Sequence, residues 1–107
     1  MPQFDDRERG EEARYALTAE MAFKAEARRN KLLGIWAAEL LSLEGDAARA
    51  YAADVVAADL TAAGEEDVFH KVSTDLKAKG LSVPDAVIRQ KMAQLAAIAK
   101  QQIVDGA

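Results

Sequence analysis

Half of the 107 residues are apolar, 30% are charged and the net charge is −4 at pH 7. That suffices for one domain, residues 1–107, burying roughly two thirds of its unfolded surface. The absence of cysteine excludes disulfides, thiolate metal sites and thiol nucleophiles, and permits a reducing compartment. No stretch approaches the ~18 continuous apolar residues of a membrane span, and no basic-then-apolar leader opens the chain, so the expectation is an unprocessed cytoplasmic protein with no membrane insertion.

Residues 1–34 hold 7 basic and 7 acidic groups, and residues 35–107 hold 7 and 11. Neither balance suits nucleic acid, whose binding normally needs an excess of Lys and Arg to displace counterions from phosphates. Glycine and proline are scarce, alanine is abundant and aromatics make up 6%. This is a helix-forming composition, and it predicts an all-α chain.

In chain order, residues 1–18 form a charged, core-poor opening. Phe4 and Tyr15 are the large apolar residues among the first sixteen, too few to offset the backbone entropy of ordering on a core. Alternating charges still favour a nascent or frayed helix that orders on a partner, the other reading being a solvated tail. A first helix is expected over 19–43. It is apolar on two faces, with Met21, Ala25, Leu32, Trp36 and Leu43 on one side and Phe23, Ala27, Gly34, Ala37 and Leu41 on the other. Such a helix is central in its bundle or has a partner. Gly34 and Ala37 would admit a neighbouring helix, whereas Phe23, at the upstream end, is open to partner contact or to simple packing.

A second helix is expected over 46–63, capped by Asp46 and carrying Tyr51, Val55, Val56 and Leu60. The third, 65–79, opens with Glu65, Glu66 and Asp67 at the positive end of its dipole, places Val68, Phe69, Val72 and Leu76 on one side, and closes with Lys77 and Lys79 before Gly80. The fourth, 83–104, follows Ser82 as cap candidate and Pro84 in the first turn, with Asp85 reaching back and Ile88, Met92, Leu95, Ala99 and Ile103 on its apolar face. Short turns between four helices imply an antiparallel four-helix bundle over 19–105, with a mobile or frayed N-terminal segment.

Nothing in this pattern announces catalysis. His70 stands alone among histidines, and the Glu65–Asp67 carboxylates lack the spacing and central glycine of a calcium loop, so no metal is expected. No glycine-rich phosphate loop with lysine occurs, and no nucleophile–base pair is in evidence. Arg28, Arg29 and Lys31 form the densest basic cluster. They could meet phosphates or partner carboxylates, although Glu20, Lys24 and Arg28 at successive four-residue steps favour a solvated helix flank.

Several blocks carry a resemblance. The opening Phe4-Asp5-Asp6-Arg7-Glu8-Arg9, the run Arg28-Arg29-Asn30-Lys31-Leu32-Leu33-Gly34 and the following Trp36-Ala37-Ala38 resemble the zeta subunit family of alphaproteobacteria, natural inhibitors of the F-type ATP synthase. The likeness continues through Gly45-Asp46, Val55-Val56, Glu66-Asp67-Val68, Lys71-Val72, Ile88-Arg89, Lys91-Met92 and Gln102-Ile103. It implies a regulatory protein, not an enzyme, whose segment of about residues 2–19 enters a catalytic interface between alpha and beta subunits beside the gamma rotor and blocks hydrolysis.

By that resemblance the contact residues would be Phe4, Asp5, Asp6, Arg7, Glu8, Arg9, Arg14, Tyr15 and Phe23, in a protein that is monomeric when free and held at the inner face of the cell membrane when bound. No cofactor is required, though some family members bind ADP or ATP weakly. Where the family usually has Ala-Phe-Glu, this chain reads Gly10-Glu11-Glu12, which implies weaker inhibition. A helical adaptor or weak nucleotide-binding module, and a homodimer through Phe23, are the alternatives.

Overall fold

The computed structural model describes residues 18–59 and 64–106. The expected mobile N-terminal segment lies outside the described residues. Those described form an antiparallel four-helix bundle: α1 Ala19–Leu40, α2 Gly45–Ala58, α3 Glu65–Ala78 and α4 Asp85–Val104. No strand occurs among them.

Helix α1 is the central element, packed chiefly against α2 on one side and α4 on the other. This resolves its two apolar faces in favour of a central position. Its innermost line is Ala25, Arg29, Leu33, Ala37 and Leu41, with Asn30, Gly34 and Ala38 beside it, all buried. Met21, Leu32, Trp36 and Leu43 are only partly covered, so the stripe assigned to Trp36 is the shallower of the two. The indole edge of the bundle is closed by Lys91, whose ammonium lies 5.8 Å from the Trp36 ring.

Small residues set the spacing. A Cβ built on Gly34 would lie 2.6 Å from Ala52 Cα and 3.1 Å from its Cβ, so the α1 and α2 backbones meet where only glycine fits. Around this contact Leu33, Val55, Val68, Val72, Leu76, Ile88 and Met92 are fully buried, each contributing about 1.5–3 kcal/mol by leaving water. All four helices supply the core.

Several helix ends differ from the sequence expectation, α2 the most: it stops at Ala58, with Asp59 N–H bonding Val56 C=O (3.2 Å), instead of running to 63. Helix α1 stops at Leu40 because Ser42 N–H bonds Glu39 C=O (3.1 Å) and Leu43 N–H bonds Ala38 C=O (2.9 Å), a closure that turns Leu43 back onto the core. This closure requires a left-handed residue, and Ser42 takes it at φ 63°. The same arrangement ends α3, where Gly80 at φ 85° fills the position and Leu81 folds inward. Asp46 does not cap α2. Glu44 holds that place without a side-chain bond, Gly45 is the first helical residue at φ 57°, and Asp46 pairs instead with Arg49. Ser82 likewise lies outside α4, whose cap is Pro84, while Asp85 faces Ser73 (3.5 Å) and Lys77 (3.9 Å) on α3.

Two stability outcomes follow from these contacts. Gly34→Ala forces apart the α1–α2 crossing and should lower stability by roughly 1–3 kcal/mol, read from urea unfolding. Ser42→Gly removes the left-handed penalty and should raise stability by roughly 0.5–1 kcal/mol, read as a higher urea midpoint; a lowered midpoint would contradict the account.

Candidate functional site

Phe4, Asp5, Asp6, Arg7, Glu8, Arg9, Arg14 and Tyr15 lie outside the described residues. Phe23 is described, and it is 65% exposed on the first turns of α1, so simple core packing does not account for it. Thr18 fixes where α1 begins. Its backbone is extended (φ −66°, ψ 166°) and its hydroxyl accepts the Met21 N–H at 3.0 Å. One turn on, Lys24 and Glu20 form an exposed pair at 3.4 Å.

Immediately inward lies a polar cluster that periodicity misses. Arg29 is 7% exposed and Asn30 is fully buried, because both fall on the α1 face turned to the bundle. Arg29 Nε donates to Asn30 Oδ1 (2.9 Å), Asn30 Nδ2 donates to Asp59 Oδ2 at the end of α2 (2.9 Å), and Arg29 Nη1 approaches Glu65 of α3 at 3.9 Å. Three helices are thereby tied by one chain of polar contacts. The expected solvated flank therefore holds for Lys31 alone, which is exposed. Arg29 is buried, and Arg28 Nη1 donates to Gln102 Oε1 of α4 at 2.7 Å. The signal available in sequence is positional: Arg29 sits four residues from both Ala25 and Leu33, on the core line.

Among the described residues, Arg29 Nη2 and Asp59 Oδ1 are buried without a hydrogen-bond partner. Glu26, when protonated, is a hydrogen-bond donor to the Asp59 carboxylate. Its carboxyl is held above the ordinary glutamate range, first by hydrogen bonding with Asp59, then by partial burial and by the Asp59 charge. Beside this cluster is a depression of about 290 Å³ lined by Ala25, Glu26, Arg29, Glu65, Ala96 and Lys100. Its cations, Arg29 and Lys100, are the groups that could hold a phosphate, and Glu26 and Glu65 oppose one.

Elsewhere the polar contacts join helices. Tyr51 of α2 donates to Asp75 of α3 at 2.8 Å, and Lys71 reaches the same oxygen at 3.0 Å; burial, then this bond, push the phenol pKa upward. Arg89 forms a two-pronged pair with Glu66 (3.0 and 3.1 Å) and lies 3.8 Å over the Phe69 ring, and its bond holds Glu66 below the usual carboxylate range. His70 is exposed beside Glu66. No group of three metal-ligating side chains is found among the described residues. No helix among them is long and apolar enough to cross a membrane.

The Glu26 displacement has a pH consequence. Because its folded value is raised, its stabilising contribution is complete below the ordinary glutamate value and is lost as pH rises through the folded one. Glu26→Gln keeps a donor for Asp59 at every pH. It should raise the melting temperature at pH 7 by the equivalent of up to about 1 kcal/mol after solvent screening, with the gain shrinking in acid. A gain that grew on acidification would exclude this pairing.

Residues 1–102 match the family described as ATPase inhibitor subunit zeta. A protein solved by solution NMR is 54% identical, with a TM-score of 0.71 over 81% of this chain and 99% of that one. Comparison with curated proteins gives no match. The family match spans the charged opening and all four helices, and the chain belongs to the ATPase inhibitor subunit zeta family.

Proposed function

We propose that this protein binds the catalytic head of the F-type ATP synthase and restrains ATP hydrolysis through the residues preceding Thr18, seated at an interface of alpha and beta subunits beside the gamma rotor. The observation that carries this reading is the extent of the family match, residues 1–102, which takes in the opening as well as the bundle. The Thr18 cap supports it by fixing where α1 of the bundle begins.

Physically, the bundle acts as a tether. A short segment that becomes helical on its target meets its ordering cost at binding, and attachment to a docked body raises its local concentration to the millimolar range, as is typical of short linkers. Phe4 and Tyr15 serve as anchors. Asp5, Asp6, Arg7, Glu8, Arg9 and Arg14 provide charge complementarity, and Phe23 continues the contact onto α1. The site of action is then the cytoplasmic side of the cell membrane, with no chemistry performed by this chain.

The test is ATP hydrolysis by the purified synthase head of the same organism. The full-length chain should slow hydrolysis, and Phe4→Ala with Tyr15→Ala should raise the inhibition constant by at least about tenfold. Equal inhibition by that variant would refute the segment's role. Gly10→Ala with Glu11→Phe should act in the opposite direction, since it restores helix propensity worth about 0.5–1 kcal/mol and adds an apolar anchor. An unchanged constant would show that these positions do not limit inhibition.

A further inference from the structure

We propose that the outer face of α1, a trough running beside α2 from Phe23 to Ile35, docks an acid-flanked amphipathic helix on the surface of the synthase head. This rests on the reading of the protein as a ligand of that head, and adds to it a second contact made by the bundle itself.

Helix α1 packs chiefly on α2 and α4, and its remaining side holds Phe23, Ala27, Lys31 and Ile35 at four-residue spacing, with Phe23 65% and Ile35 44% exposed. A depression of about 400 Å³ lies over the first three, and one of about 630 Å³ lies between the last two and α2. Both are bordered by Lys31 of α1 and Val56 of α2, so they join into one trough about 18 Å long. Its floor is hollow because α2 presents Ala48, Ala52 and Ala53 there.

Charge selects the occupant. The chain carries a net −4, yet the ionised side chains lining both depressions are Lys24, Arg28, Lys31 and Arg49, with no carboxylate among the described residues that line them. Lys31, at the middle, is exposed and has no ion-pair partner among the described residues. The Lys24–Glu20 and Arg49–Asp46 pairs on the rim are exposed and of the kind worth least, so they exchange readily for incoming carboxylates. The sign changes at Phe23, where Glu26 and Asp59 line a separate hollow of about 150 Å³, so the acidic stretch of the occupant ends there.

Shape narrows the choice further. A concave trough of this length receives about twelve residues of helix, three turns, apolar toward Ala27 and Ile35 and acidic on its flanks. A flat lipid surface would meet the rims before the floor. A symmetric pair of this chain would lay the trough on itself and set its basic rims against each other. A contact this small is weak alone, but once the protein is held on the head by another contact it acts at the effective concentration of a linked second site, millimolar for short linkers.

The chain has no cysteine, so Ala53→Cys, exposed in the trough, and Ile98→Cys, exposed on α4 outside it, each place one thiol on the full-length protein. Binding to the purified synthase head should slow maleimide alkylation of Ala53→Cys at least about tenfold, read from the mass of this chain, and leave that of Ile98→Cys unchanged. Ile35→Asp, and separately Lys31→Glu, should raise the dissociation constant for the head at least about tenfold, while Lys31→Arg keeps it; about 0.5 M salt should weaken the parent chain more than Lys31→Met. Unaltered alkylation of Ala53→Cys in the bound protein overturns the proposal, as do unaltered constants in both variants. So does a doubled sedimentation mass of the free chain that Ile35→Asp removes, which makes the occupant a second copy. Cosedimentation with vesicles of about one quarter anionic lipid, lost in the same variant, makes it a membrane and overturns the proposal as well. A full-length chain that does not bind the head overturns both this inference and the reading beneath it, whereas inhibition with the Ala53→Cys thiol still accessible overturns the docking alone.

Discussion

The close approach of α1 and α2 at Gly34 is the contact on which the rest of the bundle depends. With Ala52 Cα only 2.6 Å from where a Cβ would stand, the two helices sit nearer than side chains ordinarily allow. That proximity buries Val55 completely, while α1 packs equally closely against α4. It also brings Asp59, just past the end of α2, to Asn30, so the polar cluster exists because the backbones meet a turn away. Arg29 then has a buried partner, and its retention inside the bundle follows.

Much of this was readable from residue order. The apolar faces of α3 and α4 appear where spacing predicts them, with Val68, Phe69, Val72, Leu76, Ile88, Met92 and Ala99 buried. Glycine and alanine at Gly34 and Ala37 correctly marked a close neighbour. What periodicity could not show was polar burial. Arg29 and Asn30 read as solvent residues by type, and only their partners, Asp59 and Glu65, some thirty or more positions away, reconcile them with the interior. The turns were misread for a related reason. Ser42 adopts a conformation that glycine ordinarily supplies, so the helix stop fell before the glycine that seemed to signal it. Asp46 and Ser82 have capping chemistry but sit beside, not at, the positions where orphan N–H groups need it. Of the residues read as partner contacts, only Phe23 lies in the described part, and its exposure leaves it available.

Electrostatics in this chain works mainly to join helices. Tyr51 with Asp75 links α2 to α3, Arg89 with Glu66 links α4 to α3, and Arg28 with Gln102 links α1 to α4. An exposed ion pair such as Arg89 with Glu66 adds little stability individually. The value of these links is in register: each one favours a single axial alignment of two helices whose alanine-rich faces could otherwise slide. The buried Asn30–Asp59 bond does so more strictly, since any slip would leave both groups without water or partner.

The central position of α1 also bears on how the chain is made. Its principal partners are the helix that follows it and α4, which begins at Asp85. On the ribosome, α1 emerges long before α4, and at ordinary synthesis rates of about 5–20 residues per second several seconds separate them. During that interval Leu33, Ala37 and their neighbours can be covered by α2 on one side only. The α4-facing half waits as exposed apolar surface for a chaperone or for the arriving helix, so the step that completes this bundle is the meeting of its first described helix with its last.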